Sequence, residues 1–410
     1  MMAKVLVIHF PGEGHINPTL AVLSELIKRG EKVVSYCIEE YRNKIETTGV
    51  EFRIYENFLP EINIMERIKQ GNSPLEMLAK MVEATDRIVE NILEEIKEEQ
   101  YDYLIYDNHF AVGYILAKTL QVPKISSCTT FAFNKETSLH DKNERRQIDE
   151  SSPLYQSCVL GMKKWEEKYG VKCNDLLDIM NHPGDITIVY TSKQYQPYAH
   201  TFDESYKFVG PSIAPRKDVE SFPLKFSKKK PVLFISMGTI FNQQPELYET
   251  CFKAFRDLNV TVVLVVGRKI NISQFEEIPA NFNVYNYVPQ LEILQHTDVF
   301  ITHGGMNSSS EALYYGVPLV VIPVMGDQPF VAKRVEELGA GIQLDRTNIT
   351  PEILREAVEM ILDNKSFREK SRKIGESLHA AGGYRRAVDE IVTFTSGAMH
   401  KSCFQLKNSK

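Results

Sequence analysis

The sequence has few of the residues that mark specialised folds. Its 410 residues include one tryptophan, and its six cysteines (Cys37, Cys128, Cys158, Cys173, Cys251 and Cys403) form no Cys-x-x-Cys pair. Such scatter fits a reducing compartment better than a disulfide scaffold or a zinc site. Basic charge is not in excess. Forty-eight Lys and Arg against 54 Asp and Glu leave a formal charge of −6, without the electrostatic footprint of a general nucleic-acid binder. No apolar run approaches the roughly 18 residues of a membrane span. The opening MMAKVLVIHF turns glycine-rich too soon for a signal peptide. Short-period repeats and low-complexity tracts are absent. What remains, 43% hydrophobic and 25% charged, is ordinary globular composition on a chain too long for one core. The expectation is a soluble, cytoplasmic, two-domain protein, a monomer or weak dimer.

Strand-like runs alternate with amphipathic helices. VLVIHF (5–10) enters a glycine-rich turn and then PTLAVLSELIKRG, whose Leu20, Leu23 and Ile27 recur at helical spacing before Gly30. KVVSY begins the next strand, and 51–54, 102–106 and 122–127 read as others. VGPSIAPRKDVESFPLKFSKKKP holds four prolines and a lysine run, which predicts a linker over 209–230. The alternation then restarts with strands at 231–236, 260–267, 282–287, 298–303 and 318–323. Apolar strands separated by helices predict an α/β chain of two parallel sheets, one domain over 1–208 and another over 231–382. Open parallel sheets bind ligands where strand order reverses, between strands 1 and 4 of a 3-2-1-4-5 order. In the first half that point brings PGEGHINP towards Asp107. In the second it brings Ser236-Met-Gly-Thr239 towards His303-Gly-Gly305. Two such edges facing each other would make a cleft.

His303-Gly-Gly-Met-Asn-Ser-Ser-Ser-Glu311 follows a strand and opens a helix. Gly304 and Gly305 let backbone approach a ligand, and a helix N-terminus favours an anion. His303, Asn307 and Ser308 add donors where a phosphate would sit, and Glu311 suits a ribose diol. A helix capped for close packing on a strand would need the glycines but not this set of polar residues. Gly326-Asp-Gln-Pro329 offers Asp327 and Gln328 to vicinal hydroxyls, although Asp at a helix start is common. Tyr287-Val-Pro-Gln290 supplies a stacking face and, in Gln290, a carboxamide able to read a base edge. Gly12-Glu-Gly14-His-Ile-Asn17 matches part of a dinucleotide fingerprint, with Asn17 in place of the third glycine. Glu39 or Glu40 would imitate its ribose-binding acid. His15 would crowd a pyrophosphate there and suits a general base better, with Asp107 bound to its other ring nitrogen.

Read together, these segments resemble the family 1 UDP-dependent glycosyltransferases, in particular their bacterial macrolide and natural-product branch. The likeness is strongest over 284–340 and good at GEGHINPTL and IYDN. It implies the GT-B fold, two Rossmann-like domains facing across a cleft, with a C-terminal helix (383–396) returning to the N-terminal domain ahead of a tail (397–410). It also implies site residues. His15 is then the base and Asp107 its partner. His303, Gly304, Gly305, Asn307 and Ser308 hold the diphosphate with the Ser236, Gly238 and Thr239 loop. Glu311 takes the ribose, Val288 and Gln290 the uracil, and Asp327 with Gln328 the sugar. Tyr287 replaces the family's frequent Trp or Phe, and Met306 stands where plant members carry Trp. The Asp-Gln ending favours glucose.

On this resemblance the chain is an inverting transferase. It moves a hexose from a UDP-sugar co-substrate to a hydroxyl of a small apolar acceptor such as a phenolic or macrolide. Phe58, Met77, Met81, Phe110, Phe131 and Phe133 are the expected acceptor wall. No cofactor and no metal are expected, since the chain has no Asp-x-Asp to hold an ion beside the diphosphate. Two other readings remain at this point. One is a nucleotide-dependent oxidoreductase using the Gly12–Gly14 turn. The other is a nucleotide-sugar binder without transfer, which would have no use for His15 and Asp107.

Overall fold

The structure, a computed structural model, describes residues 2–62, 74–134, 136–137, 149–214 and 230–408. Runs rich in β-branched and aliphatic residues become short strands, most of them buried on both faces. β1 (Lys4–Ile8), β2 (Lys32–Cys37), β3 (Glu51–Ile54), β4 (Tyr103–Asp107), β5 (Lys124–Cys128), β6 (Ile186–Val189) and β7 (Tyr206–Phe208) form one sheet. Its order is β3-β2-β1-β4-β5-β6-β7, with every pair parallel. β8 (Val232–Ser236), β9 (Thr261–Val265), β10 (Phe282–Tyr285), β11 (Val299–Thr302), β12 (Leu319–Val321) and β13 (Gly341–Gln343) form a second parallel sheet, in the order β10-β9-β8-β11-β12-β13. Strand order thus reverses between β1 and β4 and again between β8 and β11. The α/β class and both reversals agree with the sequence reading. β6, β7 and β13 were not foreseen in it.

The described chain divides into two units. The first takes residues from 1–190, 198–212 and 383–410, and the second takes 191–197 and 213–382. The first core is built on both faces of its sheet and holds the fully buried Trp165, on the helix Pro153–Tyr169. The helix Gly383–Asn408 belongs to this unit, where Ala387, Val388 and Ile391 enter the core and the helix packs along Glu13–Lys28. Arg29 and Asp389 pair at 2.7 Å near that contact. The helix continues past Ser396, where a tail was expected. It contains no proline, and Gly397 costs only about 1 kcal/mol in a helix.

The second core surrounds its own sheet, with Phe234 and Phe300 stacked at 4.7 Å across adjacent strands. Thr191–Pro197, assigned to the first domain in the sequence reading, groups here instead. Arg334 donates to the carbonyls of Gln194 and Tyr195 at 2.9 and 3.0 Å, and Ser192 meets Ser377 at 2.7 Å. Of the expected linker, 209–214 carry neither helix nor strand, and 215–229 lie outside the described residues. No helix among the described residues is long and apolar enough to cross a membrane.

Candidate active site

The first unit places its polar residues at the β1–β4 reversal. β1 and β4 pair in register as far as Ile8 and Tyr106, so Asp107 projects one residue beyond the shared ladder. The helix Glu13–Lys28 starts after Gly12, which puts His15 in its first turn. His15 Nδ1 lies 2.8 Å from Asp107 Oδ2, and a carboxylate can only accept, so the ring proton sits on Nδ1 and Nε2 is left as the acceptor. His15 keeps 23% of its side chain exposed while Asp107 keeps 4%. Burial alone would raise the Asp107 carboxyl. The neighbouring His15 and His109 outweigh it and hold the group well below the usual carboxylate range. Asp107 Oδ1 accepts from the backbone N–H of His109 at 2.9 Å, and Thr129 Oγ1 lies 3.2 Å from His15 Nδ1. The imidazole also packs over the Gly12 turn, where a Cβ would come within 3.2 Å of it.

Behind this pair lies an aromatic cluster. Phe10 sits 4.7 Å from the His15 ring and meets Phe110 and Phe58 edge-on at 5.7 and 6.3 Å. Phe58, Phe110, Met81 and Phe131 are each no more than 2% exposed, and Phe58 and Phe110 pack against Phe10. Met77 and Phe133 are only partly buried. The region expected to wall the acceptor includes 63–73, 135 and 138–148, which are outside the described residues.

In the second unit the register pairs Ser236 with Thr302, so Met237–Thr239 and His303–Gly305 leave the sheet side by side. His303 fits between two glycines. A Cβ on Gly238 or Gly305 would come within 2.5 or 2.6 Å of the imidazole, and Gly238 has a φ of +75°. Asn242 fixes the Gly238 side of the slot by donating to the Gly238 carbonyl at 2.8 Å. Burial pushes His303 down to about 4, so at neutral pH it offers a ligand an uncharged N–H. The helix Met306–Tyr314 begins there, and its N-cap residue, Gly305, has no side chain to cover the first-turn N–H groups. Asn307 and Ser308 lie in that turn. Glu311, 9% exposed, lies a turn further and accepts from Gln290 Nε2 at 2.6 Å. Gln290 Nε2 also stands 3.3 Å from Ser308 Oγ, so the helix start and the Tyr287–Gln290 turn form one polar cluster.

Val288 is buried, whereas Tyr287 is 52% exposed with the Arg268 guanidinium 5.3 Å over its ring. Asp327 is the N-cap residue of the helix Gln328–Glu337, although its carboxylate does not cap it. Gln328 Oε1 accepts from the backbone N–H groups of Val324 and Met325 at 2.8 and 3.2 Å. Sequence reasoning missed Thr129, Asn242, Arg268 and His109. Only His109 left a trace, through its place two residues after Asp107.

The second unit thus presents a helix N-terminus, a buried acid and an uncharged imidazole around one strand reversal. The family model for UDP-glucoronosyl and UDP-glucosyl transferases matches residues 202–382, the stretch that carries all of these. The chain is 42% identical to YojK of Bacillus subtilis strain 168, described as an uncharacterized UDP-glucosyltransferase, over 395 residues that cover 95% of this chain and 97% of YojK. It is 35% identical to the NDP-glycosyltransferase YjiC of the same organism, covering 95% and 97%. Among solved structures, the glycotransferase of kitacinnamycin superposes with a TM-score of 0.84 at 27% identity, over 95% of this chain and 98% of that one. With the two parallel sheets of the GT-B class and relatives matched nearly end to end, the chain belongs to the UDP-glucoronosyl and UDP-glucosyl transferase family and is a glycosyltransferase.

Proposed function

We propose that the enzyme moves glucose from UDP-glucose to a hydroxyl of a small apolar natural product, with inversion at the anomeric carbon. The observation that carries this reading is the 2.8 Å contact between His15 Nδ1 and Asp107, which puts the ring proton on Nδ1 and the basic lone pair on Nε2. As the acceptor oxygen attacks the anomeric carbon, its proton passes to Nε2 and the bond from that carbon to the diphosphate oxygen breaks. UDP departs with the electron pair. Asp107, held ionised, stabilises the imidazolium that forms. One displacement inverts the centre, so an α-linked donor gives a β-glycoside. Developing charge on the diphosphate is met by the helix start at Met306 and the uncharged N–H of His303. The glucose preference rests on the naming of YojK, and the acceptor class on solved relatives such as the kitacinnamycin and calicheamicin glycosyltransferases. Membership of this family displaces the oxidoreductase reading of the Gly12–Gly14 turn.

Incubation with UDP-glucose and a panel of phenols and macrolides, read by mass spectrometry and by NMR of the anomeric proton, tests the whole proposal. An α-glycoside product would overturn the single displacement. Donor binding has its own test. Glu311→Ala and His303→Ala should each weaken UDP binding about tenfold or more by calorimetry, the loss expected when a charged or buried hydrogen-bond partner goes. Unchanged affinity in both variants would remove the donor assignment. Metal independence is tested by chelation. Among the described residues, the one cluster of metal-ligating side chains is His15, Asp107 and His109 and includes none of the residues assigned to the diphosphate, so transfer should survive EDTA. Loss of activity on chelation, restored by magnesium or manganese, would contradict this account.

A further inference from the structure

His15, Asp107 and His109 each offer one ligand atom, and these atoms all lie within 4.8 Å of one another. Asp107 stands between the two rings. Its Oδ2 faces His15 Nδ1 at 2.8 Å and its Oδ1 faces His109 Nδ1 at 3.7 Å, beyond hydrogen-bonding distance. His109 Nδ1 is buried and makes no hydrogen bond, while its Nε2 lies 3.4 Å from Thr130 Oγ1. In the tautomer whose Nε2 donates to that hydroxyl, the Nδ1 lone pair points towards the ionised carboxylate and the support that a protonated Nδ1 gives Asp107 is lost. A cation between them would satisfy both.

We propose that these three residues bind a borderline divalent cation, Zn²⁺ being the type case, and that its binding switches transfer off. The chemistry of the set is right, with two imidazoles and one carboxylate and room for a fourth ligand such as water. Ligand atoms on a tetrahedral zinc ion lie about 3.3–3.5 Å apart, given metal–ligand bonds of about 2.0–2.2 Å. The separations of 2.8 and 3.7 Å, each to a different oxygen of Asp107, lie on either side of that value, and the three ligand atoms lie within 4.8 Å of one another, so rotation of the two rings is what closes the site. Thr130 at His109 would fix the tautomer that the metal needs. Coordination at His15 Nδ1 carries a direct consequence. The single proton of the neutral ring must move to Nε2, the atom that would otherwise accept the proton of the attacking hydroxyl. No proton is lost, but the base is capped. This switching-off rests on His15 being the base, whereas the binding of the ion does not.

The test uses the full chain, stripped with EDTA and titrated with Zn²⁺ by calorimetry, with Co²⁺ absorbance as a second probe. One equivalent should bind, with tetrahedral cobalt bands. His109→Gln and His15→Gln, each checked for folding by circular dichroism, should weaken binding at least about tenfold. X-ray absorption on the zinc-loaded wild type, which needs no variant, should show nitrogen and oxygen neighbours at about 2.0–2.2 Å and no sulfur. Zinc should abolish transfer and EDTA restore it. A sulfur shell, or equal binding by both variants, overturns the site. Binding lost in both variants without any inhibition of the wild type keeps the site and overturns the assignment of His15 as base.

Discussion

Replacing His15 by alanine should lower transfer to an aliphatic alcohol by about 10²–10⁴-fold, the range that a positioned general base supplies. An alcohol holds its proton too tightly to attack unaided, so the loss falls on turnover and not on donor affinity. Acidic phenols, already partly ionised near neutral pH, should lose much less, and the contrast between the two acceptor types is the signature to measure. Asp107→Asn should slow the same step, because an amide cannot stabilise the imidazolium as the carboxylate 2.8 Å away does. UDP binding should be unchanged in both variants, since the residues assigned to the nucleotide lie in the second unit. A His15→Ala enzyme that glycosylates alcohols at near-normal rates would remove His15 from the mechanism.

Mild acid should destabilise the first unit well before its carboxylates titrate. His9 and His182 are buried at 2% and 4% exposure, and desolvation pushes each down to about 4 from its ordinary 6.5. In the unfolded chain both take up protons as pH falls through about 6.5, but in the folded chain they stay neutral until about 4. The unfolded state therefore binds more protons across this window, so stability is highest above it and falls as pH falls. Each histidine should remove on the order of 3 kcal/mol over the full window. Trp165, the one tryptophan of the sequence, is buried in the same core and reports on this unit by its fluorescence. Its urea midpoint should drop between pH 7.5 and 5, and His182→Asn should flatten the slope. A midpoint constant over that range would mean that neither histidine is held neutral by the fold.

Much of this architecture was legible because buried parallel strands leave an unmixed apolar signature. VLVIHF and PVLFIS could not be read otherwise, and the reversals beside them pointed to His15 with Asp107 and to Ser236 with His303. β7 and β13, with three residues each, are too short to carry a pattern, and the alternation reading passed over β6. Thr191–Pro197 joins the second unit through backbone carbonyls bound by Arg334, a contact that no side-chain pattern announces. The acceptor wall is hard to read from sequence for a related reason. Phe58 and Phe110 look alike in sequence whether they face a ligand or the core, and only the structure shows that both pack against Phe10. His109 left only its nearness in sequence to Asp107 as a trace, because its bearing on that residue runs through its backbone N–H and the position of its ring.

The helix Gly383–Asn408 sets an order of events during synthesis. Ala387, Val388 and Ile391 complete the core of the first unit, and the helix lies along Glu13–Lys28, the one that carries His15. A ribosome therefore releases almost all of the second unit before the first has its last structural element. Until residues beyond 383 emerge, the nascent first unit exposes the apolar strip that this helix will cover, a surface of the kind that promotes aggregation. The part of the chain made first is the part finished last.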